Sequence, residues 1–513
     1  MPLPKPTGPA LGSLLAGLSV ALFVGMLREE RPNVVFVVVD TLRADAISTA
    51  LGNPDTPHLA ELAAGGVAFR EAFTHAPMTL PAHASLFSGR HPYETGVYNN
   101  GEPVPADVPL LAETLRGHGY QTSAVVSLAT LWPHAPGRGL DRGFDRFDTG
   151  SLEIAPAEDT EERVAQALDA LDPDRPFFLF AHFADPHEPY DQHAPWFEGE
   201  ESPSRAEAWL DGERVGVVPT SSAGRWELEL ELTPGKHELV LRSEDEFKLR
   251  SFEAVCREAE VATRFLRGEL LRPEEEVTLE LSMESGEVRQ VTLRAWLNDL
   301  PSTRELQARY ASEVRAADAA LGALVRELRS RGLWENTLVV FTADHGEALG
   351  EHGTVGHVVN LYDELLHVPL VLRLPHDRRD PELEAAERAL VRHVDVAPTV
   401  LDSLGLGGLE PTSGESLLGP GERVLMAETH PPEAPRALHA LRDETYKLVY
   451  DPGEDDFEMY RLGPDPLELD DVFAHQGHLR ETWQLVLRKL ADQVEPQTAR
   501  DEGLQRRLSA LGY

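Results

Sequence analysis

Continuous runs of apolar residues recur along the chain, separated by stretches with helical periodicity. The clearest apolar runs are residues 33–39, 176–181 and 338–341. The clearest helical patterns are residues 56–65, 110–118 and 304–331. Short runs rich in Val, Ile and Phe are typical of strands that are buried on both faces. The alternation of strand and helix predicts an α/β domain with a mostly parallel central sheet and helices on both faces.

The pattern changes between about residues 199 and 299, where apolar and polar residues alternate with period two. The alternating segments are residues 226–232, 276–281 and 288–293. Such alternation is typical of half-buried antiparallel strands. We therefore predict an antiparallel β-sandwich inserted into the α/β domain. It can bind a carbohydrate or a partner protein, or act as a spacer, and the sequence leaves these roles open.

These patterns divide the 513 residues into five segments. They are residues 1–31, an N-terminal signal peptide or signal-anchor; 32–198, the first part of the α/β domain; 199–300, the inserted sandwich; 301–410, the second part of the α/β domain; and 411–513, a small α+β subdomain. The last segment combines short strands around residues 446–450 with a terminal helix that begins at about His478.

The N-terminus carries the main indication of where the protein acts. Residues 10–26 are apolar and uncharged, and Lys5 and Arg28 lie on either side. This length is at the lower limit for crossing a bilayer, so the segment predicts a retained signal-anchor or a cleaved signal peptide, with a buried core helix as the alternative. Either membrane interpretation places the remaining chain outside the cytoplasm, in the periplasm or cell envelope. The single cysteine, Cys256, excludes a disulfide within the chain.

The net charge of the chain argues against nucleic acid as a partner. The formal net charge is −40, and 42% of the residues are apolar. A chain this acidic without a basic block is a poor match for nucleic acid, because phosphate binding requires clustered Lys and Arg. We therefore expect no nucleic-acid partner.

Polar residues follow each of the three apolar runs. Asp40 ends the first run, His182, Asp185 and His187 end or follow the second, and Asp344 with His345 follows the third. In open α/β sheets, ligands bind at the carboxyl ends of the strands. Asp40 is therefore a candidate metal ligand, although capping a helix is an alternative role, and His187 is a candidate functional residue.

Residues 79–90 predict a turn that leads directly into a helix. Thr79 can be the N-cap, Pro81 lies in the first turn, and Gly89 ends the helix. A helix N-terminus favours an anion, so a hydroxyl there is in a position to attack phosphorus or sulfur. On turn chemistry alone, Thr79 is better explained as a cap than as a nucleophile.

Taken in order, these segments resemble the sulfatase branch of the alkaline-phosphatase superfamily. The segments that carry the resemblance are residues 32–40, 79–89, 119–120 with 143–145, 186–190, 344–347, 368–370, 395–399 and 465–468. The resemblance implies an alkaline-phosphatase-like fold and one divalent metal ion held by Asp40, Asp344 and His345 in contact with a nucleophile at Thr79. Zn, Mn and Ca all suit such a ligand set.

The chain also departs from the family pattern. Sulfatases carry a Cys or Ser, converted to formylglycine, in a Cys-x-Pro-x-Arg motif, whereas this chain has Thr79 and His83 at the first and last positions. The second aspartate after the first strand is replaced by Thr41, the lysine expected near Ser127 is absent, and a second expected lysine is replaced by His357. Threonine cannot form an aldehyde hydrate, so water must clear any covalent intermediate by attacking the phosphorus or sulfur. Threonine nucleophiles occur in relatives that cleave or transfer phosphodiester and phosphoethanolamine groups, so the resemblance favours phosphorus chemistry.

The three histidines at these positions are predicted to take part in catalysis. We expect His83, His187 and His357 to line the pocket opposite the metal and to bind or protonate oxygens of the substrate. Because imidazole changes charge near neutrality, activity should then depend on pH with an apparent pKa within about two units of 7.

The sequence thus favours an extracytoplasmic, metal-dependent ester hydrolase with Thr79 as nucleophile, acting on phosphodiester or phosphonate-type esters or on sulfate esters. The substrate would be a small-molecule, lipid or glycan ester, with membrane contact through residues 10–26. Two alternatives stay open: a transferase that moves a phosphoryl headgroup at the membrane, and a catalytically silent binding protein. The oligomeric state is not indicated.

Overall fold

The computed structural model describes most of the chain from residue 31 onward. The described residues are 31–47, 56–133, 137, 139–188, 190, 205–219, 224–232, 235–243, 247–256, 269–271, 276–283, 289–299, 303–378, 380–419, 421, 423–431, 437–475 and 478–491. The apolar segment 10–26 lies outside them, so its predicted membrane role is untested. None of the described helices combines the length and the apolar character needed to cross a bilayer.

The first part of the chain alternates strands with helices, as its periodicity predicts. Its elements are β1 (Asn33–Val39), α1 (Pro57–Gly65), β2 (Val67–Phe69), β3 (Glu71–Phe73), α2 (Thr79–Ser88), α3 (Pro92–Thr95), α4 (Leu111–Gly117), β4 (Gln121–Val125), β5 (Arg146–Asp148), α5 (Ala157–Asp169) and β6 (Phe177–Phe183).

The described residues of the insertion are β-strands, apart from a turn at Asp211 and Gly212. They are β7 (Arg205–Leu210), β8 (Glu213–Pro219), β9 (Gly224–Leu232), β10 (Gly235–Ser243), β11 (Phe247–Cys256), β12 (Glu269–Leu271), β13 (Glu276–Met283) and β14 (Arg289–Asp299). They form two four-stranded antiparallel sheets, with strand orders β13-β10-β7-β8 and β12-β11-β14-β9. The antiparallel strands agree with the period-two pattern. The packing of the two sheets as a sandwich stays a prediction.

Helix and strand alternate again after the insertion, and a small sheet and a helix follow. The elements are α6 (Thr303–Ser330), β15 (Thr337–Ala343), β16 (Ala348–Leu349), β17 (Val355–Gly356), α7 (Asp363–Leu366), β18 (Leu370–Arg373), α8 (Pro381–Ala385), β19 (Leu390–Arg392), α9 (His393–Ser403), β20 (Leu425–Thr429), β21 (Leu438–Arg442), β22 (Tyr446–Asp451), β23 (Asp456–Arg461) and α10 (His478–Ala491).

A seven-stranded sheet organises the α/β part of the chain. Its strand order is β2-β18-β15-β1-β6-β4-β5. The five strands from β15 to β5 are parallel, whereas β18 pairs antiparallel with both β15 and β2. Since β1 lies between β15 and β6, the carboxyl ends of these three strands meet at one edge of the sheet. This arrangement confirms the predicted mostly parallel sheet.

The two faces of the central sheet are covered by different helices. On one face, alternate residues of β1, such as Val34 and Phe36, join a core that includes residues of α2, α4 and α9. On the other face, Val35 and Val37 join a core that includes residues of α1, α5 and α6. Burial on both faces explains why β1 is a continuous apolar run instead of an alternating one.

A buried ion cluster ties the C-terminal sheet to the α/β part. Lys447 of β22 is fully buried, and its Nζ lies 2.9 Å from Asp363 Oδ1 at the start of α7 and 2.8 Å from Glu468 Oε1. Asp363 also contacts Glu468 directly, because its backbone N–H donates a hydrogen bond to Glu468 Oε2 over 2.7 Å. The cluster therefore fixes α7, which directly precedes β18, against the small sheet.

Replacing Lys447 by alanine should strongly destabilise the protein. The substitution leaves Glu468 without its cation and Asp363 with only Arg442, 3.5 Å away, and breaking a buried ion pair typically costs about 3–5 kcal/mol. Urea unfolding followed by circular dichroism would measure the change in the free energy of unfolding. Lys489→Ala, at an exposed position of α10, is the control and should change it by less than about 0.5 kcal/mol. Equal effects of the two substitutions would show that the cluster does not hold the small sheet in place.

Candidate active site

The candidate metal ligands converge where β1 and β15 end. The register pairs Val39 with Ala343, so Asp40 and Asp344 follow directly on neighbouring parallel strands. Both carboxylates and the His345 ring are fully buried. One ligand atom from each of the three residues lies within 4.8 Å of the others. The structure therefore brings Asp40 together with Asp344 and His345, which lie about 300 positions further along the chain.

The unpaired atoms of these three side chains fit a bound cation. Both Asp40 oxygens, Asp344 Oδ2 and His345 Nε2 are buried and make no hydrogen bond within the described part of the chain. His345 Nδ1 lies 3.0 Å from Gly346 O, so it carries the hydrogen and leaves a lone pair on Nε2. Buried carboxylates without donors are costly unless a cation balances them. The set of oxygens and one imidazole nitrogen is suited to a divalent metal ion.

The pKa values of the two carboxyl groups show how strongly they repel each other. Burial, together with the neighbouring Asp344, raises the pKa of Asp40 to about 8. Burial acts in the same direction on Asp344, but His345, His83 and His182 outweigh it, so the pKa of Asp344 is lowered. Without a bound cation, therefore, only one of the two carboxyl groups is readily ionised near neutral pH.

Thr79 is the first residue of α2, and the prediction that it is the N-cap is wrong. Met78 occupies the cap position with an extended backbone, and its side chain makes no capping hydrogen bond. The N–H of Leu80 donates to Asn100 Oδ1 over 2.8 Å, so a residue outside the helix satisfies part of the first turn. Gly89 ends the helix with a left-handed backbone, as predicted. Thr79 itself is fully buried.

His83 connects the nucleophile candidate to the metal-ligand candidates. Its Nδ1 lies 2.8 Å from Thr79 O and 3.6 Å from Asp344 Oδ2, and the ring is fully buried. The residue thus lies beside the ligand set instead of opposite to it. Burial lowers the pKa of His83 to about 4, so the ring is neutral at pH 7. A change of charge near neutrality is therefore not expected from His83.

His187 and His357 lie together next to His345. Their ring centres are 5.3 Å apart, and the ring centre of His357 is 4.6 Å from that of His345. His357 Nδ1 lies 2.9 Å from Glu347 Oε1, and His187 Nδ1 lies 2.7 Å from Glu188 O. The structure therefore places both histidines on the side of His345, within reach of a group bound at the candidate metal site.

Glu347 and His182 belong to the site, although sequence reasoning assigned neither of them a role. Glu347 is fully buried against His357, and burial raises the pKa of Glu347 to about 7. His182 lies within β6, where Val38 of β1 is its partner in the register. Its Nε2 lies 3.2 Å from Asp40 Oδ2. The signal for His182 was present in the sequence, because it is the one polar residue within the otherwise apolar strand Phe177–Phe183.

Gly346 allows the segment that follows β15 to pass close to α7. A Cβ atom at this position would lie 2.1 Å from Glu364 O, which no side chain tolerates. The N–H of Gly346 donates to Leu365 O over 2.8 Å. Only glycine lets the backbone pass this close to α7, and this contact holds His345 and Glu347 on either side of the turn.

Comparison with known proteins connects this geometry to a family. Residues 32–406 match the Sulfatase family model. The N-acetylglucosamine-6-O-sulfatase of Bacteroides thetaiotaomicron is 24% identical, and the match covers 92% of this chain and 88% of the relative. The choline-sulfatase of Rhizobium meliloti is 25% identical, and the match covers 86% of this chain and 82% of the relative.

Solved structures show the same fold. The phosphonate monoester hydrolase of Agrobacterium radiobacter superposes with a TM-score of 0.60 and 21% identity, covering 91% of this chain and 96% of that one. A structure in complex with the substrate D-glucosamine-2-N,6-O-disulfate superposes with a TM-score of 0.62 and 17% identity, covering 91% of this chain and 98% of that one.

Proposed function

The chain belongs to the sulfatase family and is an ester hydrolase, and we propose that it cleaves phosphodiester, phosphonate or sulfate esters with Thr79 as nucleophile. One observation carries the proposal. Asp40, Asp344 and His345 place unpaired ligand atoms within 4.8 Å of one another, and His83 links them directly to the residue that begins α2.

Asp40, Asp344 and His345 would hold the divalent metal ion, with Thr79 beside them. Such an ion, when bound, would polarise the ester and lower the pKa of the Thr79 hydroxyl. Sulfatases generally depend on divalent metals, which supports this assignment. The donor set does not distinguish Zn, Mn and Ca.

The remaining residues support attack by Thr79. Its oxygen would form a bond to phosphorus or sulfur while the bond to the ester oxygen breaks, and the hydroxyl proton passes to a neighbouring base. His187 and His357 lie on the side of His345 where the departing oxygen can receive a proton. Water would then attack the same phosphorus or sulfur, which releases the acid and restores Thr79.

The charges around the site favour a monoanionic ester group. Within the described residues, the ion-pair partners of Asp40 and Asp344 are histidines, without a Lys or an Arg. Phosphodiesters, phosphonate monoesters and sulfate esters each carry one negative charge, whereas a phosphate monoester carries two. A site with few fixed cations should therefore prefer the first three classes.

We further propose that the protein acts outside the cytoplasm on a small-molecule, lipid or glycan ester. The apolar segment 10–26 supports export or anchoring. The named relatives include sulfatases that act on N-acetylglucosamine 6-O-sulfate and choline sulfate groups, which supports a small-molecule or glycan substrate.

A substrate panel tests the proposal. The purified protein would be assayed with an aryl sulfate, a phosphate monoester, a phosphodiester and a phosphonate monoester, each with Zn²⁺, Mn²⁺ or Ca²⁺. We expect hydrolysis of at least one monoanionic ester, and slower hydrolysis of the monoester dianion. A preference for the dianion would contradict the charge argument, and no turnover in any combination would favour the silent binding protein. Formation of a new ester with an added alcohol would identify a transferase.

The pH dependence should report on His357. The Glu347 carboxyl, whose pKa burial raises to about 7, lies 2.9 Å from His357 Nδ1, so this pair should lose a proton, and with it affinity for the anionic substrate, on the alkaline side of neutrality. His357→Lys should move this limb to higher pH, because the reference pKa of lysine is near 10.4 and that of histidine is near 6.5. The measurement is kcat/KM between about pH 5 and 10.

The control for this experiment is His118→Lys, at a partly exposed position that follows α4. It should leave the pH profile unchanged. A profile that is flat across this range in both the wild type and His357→Lys would show that His357 has only a structural role.

A further inference from the structure

A valine with a left-handed backbone directly follows His357. Val358 has a φ of 85° and is only 8% exposed. A β-branched residue is strained at positive φ, and such residues persist only where the surrounding structure stabilises them. Among the described residues, the β-branched residues with positive φ are Thr41 and Val358. Thr41 follows Asp40, so both of these strained residues lie directly next to residues of the candidate active site.

A hydroxyl from the C-terminal sheet stabilises this strained valine. Thr429 is the last residue of β20 and is buried, and its hydroxyl donates a hydrogen bond to Val358 O. The two residues are 71 positions apart in the chain. A buried carbonyl group requires a donor, so this hydrogen bond favours the orientation in which the peptide group after Val358 meets Thr429. The contact therefore offsets part of the strain.

The side chain of Val358 packs on the other side of the candidate site. Val358 and Met78 form a small buried apolar cluster, and Ala129 and Ile154 pack against it. Met78 is the cap residue of α2 and immediately precedes Thr79. Val358 is thus bonded to His357 through its backbone and packed through its side chain against the residue before the candidate nucleophile.

Strand β20 is also fixed to the segment that leads into α2. The N–H of Glu428 donates to His75 O over 2.9 Å, and His75 Nδ1 lies 2.5 Å from Met426 O. One end of β20 therefore contacts both the segment before Thr79 and the segment after His357. A strand that is bound to both segments is in a position to set the distance between these two residues.

We propose that Thr429 and Val358 are positioning residues for the reaction. The Thr429 hydroxyl keeps Val358 in its strained conformation, and Val358 keeps His357 at a fixed distance from Thr79. The inference rests on the proposed function, in which Thr79 attacks the ester and His357 binds its anionic group. Precise placement matters because a displacement of about 1 Å can lower a rate by about 10²-fold. The C-terminal sheet would thus contribute to catalysis through Thr429.

The kinetics of Thr429→Val test the proposal. Valine keeps the shape of threonine but cannot donate to Val358 O, so kcat/KM for the best ester in the panel should fall by about 10- to 100-fold. Thr429→Ser keeps the hydroxyl and should restore most of the lost activity. Circular dichroism and thermal unfolding would verify that each variant is folded.

Thr337→Val is the matched control. Thr337 is fully buried at the start of β15, and its hydroxyl donates to Leu333 O over 2.7 Å, so the substitution also removes a buried hydrogen bond to a backbone carbonyl. This residue lies at the end of β15 opposite to Asp344. Thr337→Val should lower the melting temperature about as much as Thr429→Val does, but it should leave kcat/KM unchanged. Unchanged kcat/KM in both variants would show that Thr429 has only a structural role.

A double substitution asks whether Thr429 acts through Val358. Glycine adopts positive φ without strain, so Val358→Gly does not need the hydrogen bond to keep this backbone conformation, but it loses the packing against Met78. Val358→Gly should lower kcat/KM by about 10-fold or more. Adding Thr429→Val should then cause little further loss, because residues that act together are not additive. Losses that multiply would overturn the proposal, and Val358→Gly keeps it testable if Thr429→Val does not fold.

Anion binding separates this proposal from the proposed function. Calorimetry would measure the Kd of inorganic phosphate and of sulfate for the wild type and for both threonine variants. Thr429→Val should raise the Kd by about 10-fold, the loss expected when a hydrogen bond to a charged group is misaligned, and Thr337→Val should not. Weaker anion binding in Thr429→Val without hydrolysis of any ester would support the positioning role and overturn the proposed function. Hydrolysis with the same kcat/KM and Kd in Thr429→Val would overturn the positioning role and leave the proposed function intact.

Discussion

Thr79→Ala is expected to lower turnover by about 10³-fold or more, because the substitution removes the oxygen that would attack the ester. The protein should still fold. Thr79 is the first residue of α2 and not its cap, so its removal costs no capping hydrogen bond. The loss of a buried methyl and hydroxyl should lower the free energy of unfolding by about 1 kcal/mol.

Two control variants show whether the loss of turnover comes from the missing Thr79 hydroxyl. Thr79→Ser keeps the hydroxyl and should retain measurable turnover. Ser85→Ala removes another fully buried hydroxyl from the same helix, one that makes no hydrogen bond to any described residue, and should leave turnover close to that of the wild type. The measurement is kcat for the best ester in the panel, with circular dichroism to verify folding. If Thr79→Ala turned over at the wild-type rate, covalent catalysis at this position would be excluded.

Asp344→Asn should remove metal binding and activity together, and its effect on stability should depend on the metal. Asp344 Oδ1 accepts from the N–H groups of Thr41 and His345 over 3.2 and 2.8 Å, and the amide oxygen of asparagine can keep both bonds. Only the negative charge and the unpaired Oδ2 are lost. We expect metal affinity to fall by about 100-fold or more, since even residues outside the ligand set contribute about 10- to 100-fold.

The loss of stability should be larger with metal than without it. In the presence of a chelator, Asp344→Asn removes a carboxylate whose pKa the fold lowers, so the melting temperature should fall. With metal added, the wild type should gain about 2.7 kcal/mol at a metal concentration 100 times the Kd, whereas the variant should gain almost nothing at the same concentration. Thermal unfolding in both conditions measures the difference.

Asp318→Asn is the matched control for the loss of a buried carboxylate. Asp318 accepts from the N–H groups of His58 and Leu59 at the start of α1, far along the chain from the candidate site. Its substitution should change the melting temperature by a similar amount with and without metal. If Asp344→Asn behaved in the same way, the role of Asp344 as a metal ligand would be contradicted.

The sequence by itself determined the fold class and the position of most elements. The uninterrupted apolar run of β1 predicted a strand buried on both faces, and the structure places it between β15 and β6 with a core on each side. The period-two pattern predicted the antiparallel strands of the insertion, such as Gly224–Leu232. These properties follow from the local spacing of apolar side chains, which the printed sequence shows directly.

The sequence also drew attention to Asp40, Asp344 and His345, because polar residues after buried parallel strands meet at one edge of the sheet, and the family resemblance implied that they form one ligand set. The sequence could not determine which of their oxygen and nitrogen atoms are hydrogen-bonded and which are not. That depends on strand register and on donors from distant segments, which only the tertiary structure brings together.

Three features were decided by the tertiary structure alone. Thr79 was expected to cap α2, but the chain enters the helix through Met78, so the helix begins one residue earlier than the turn signals indicated. His83 was expected to titrate near neutrality, but burial lowers its pKa to about 4. His182 had no assigned role until the pairing of β1 with β6 placed its ring against Asp40. In each case the deciding quantity is burial or a contact between separate strands, and neither is encoded in the local pattern of the chain.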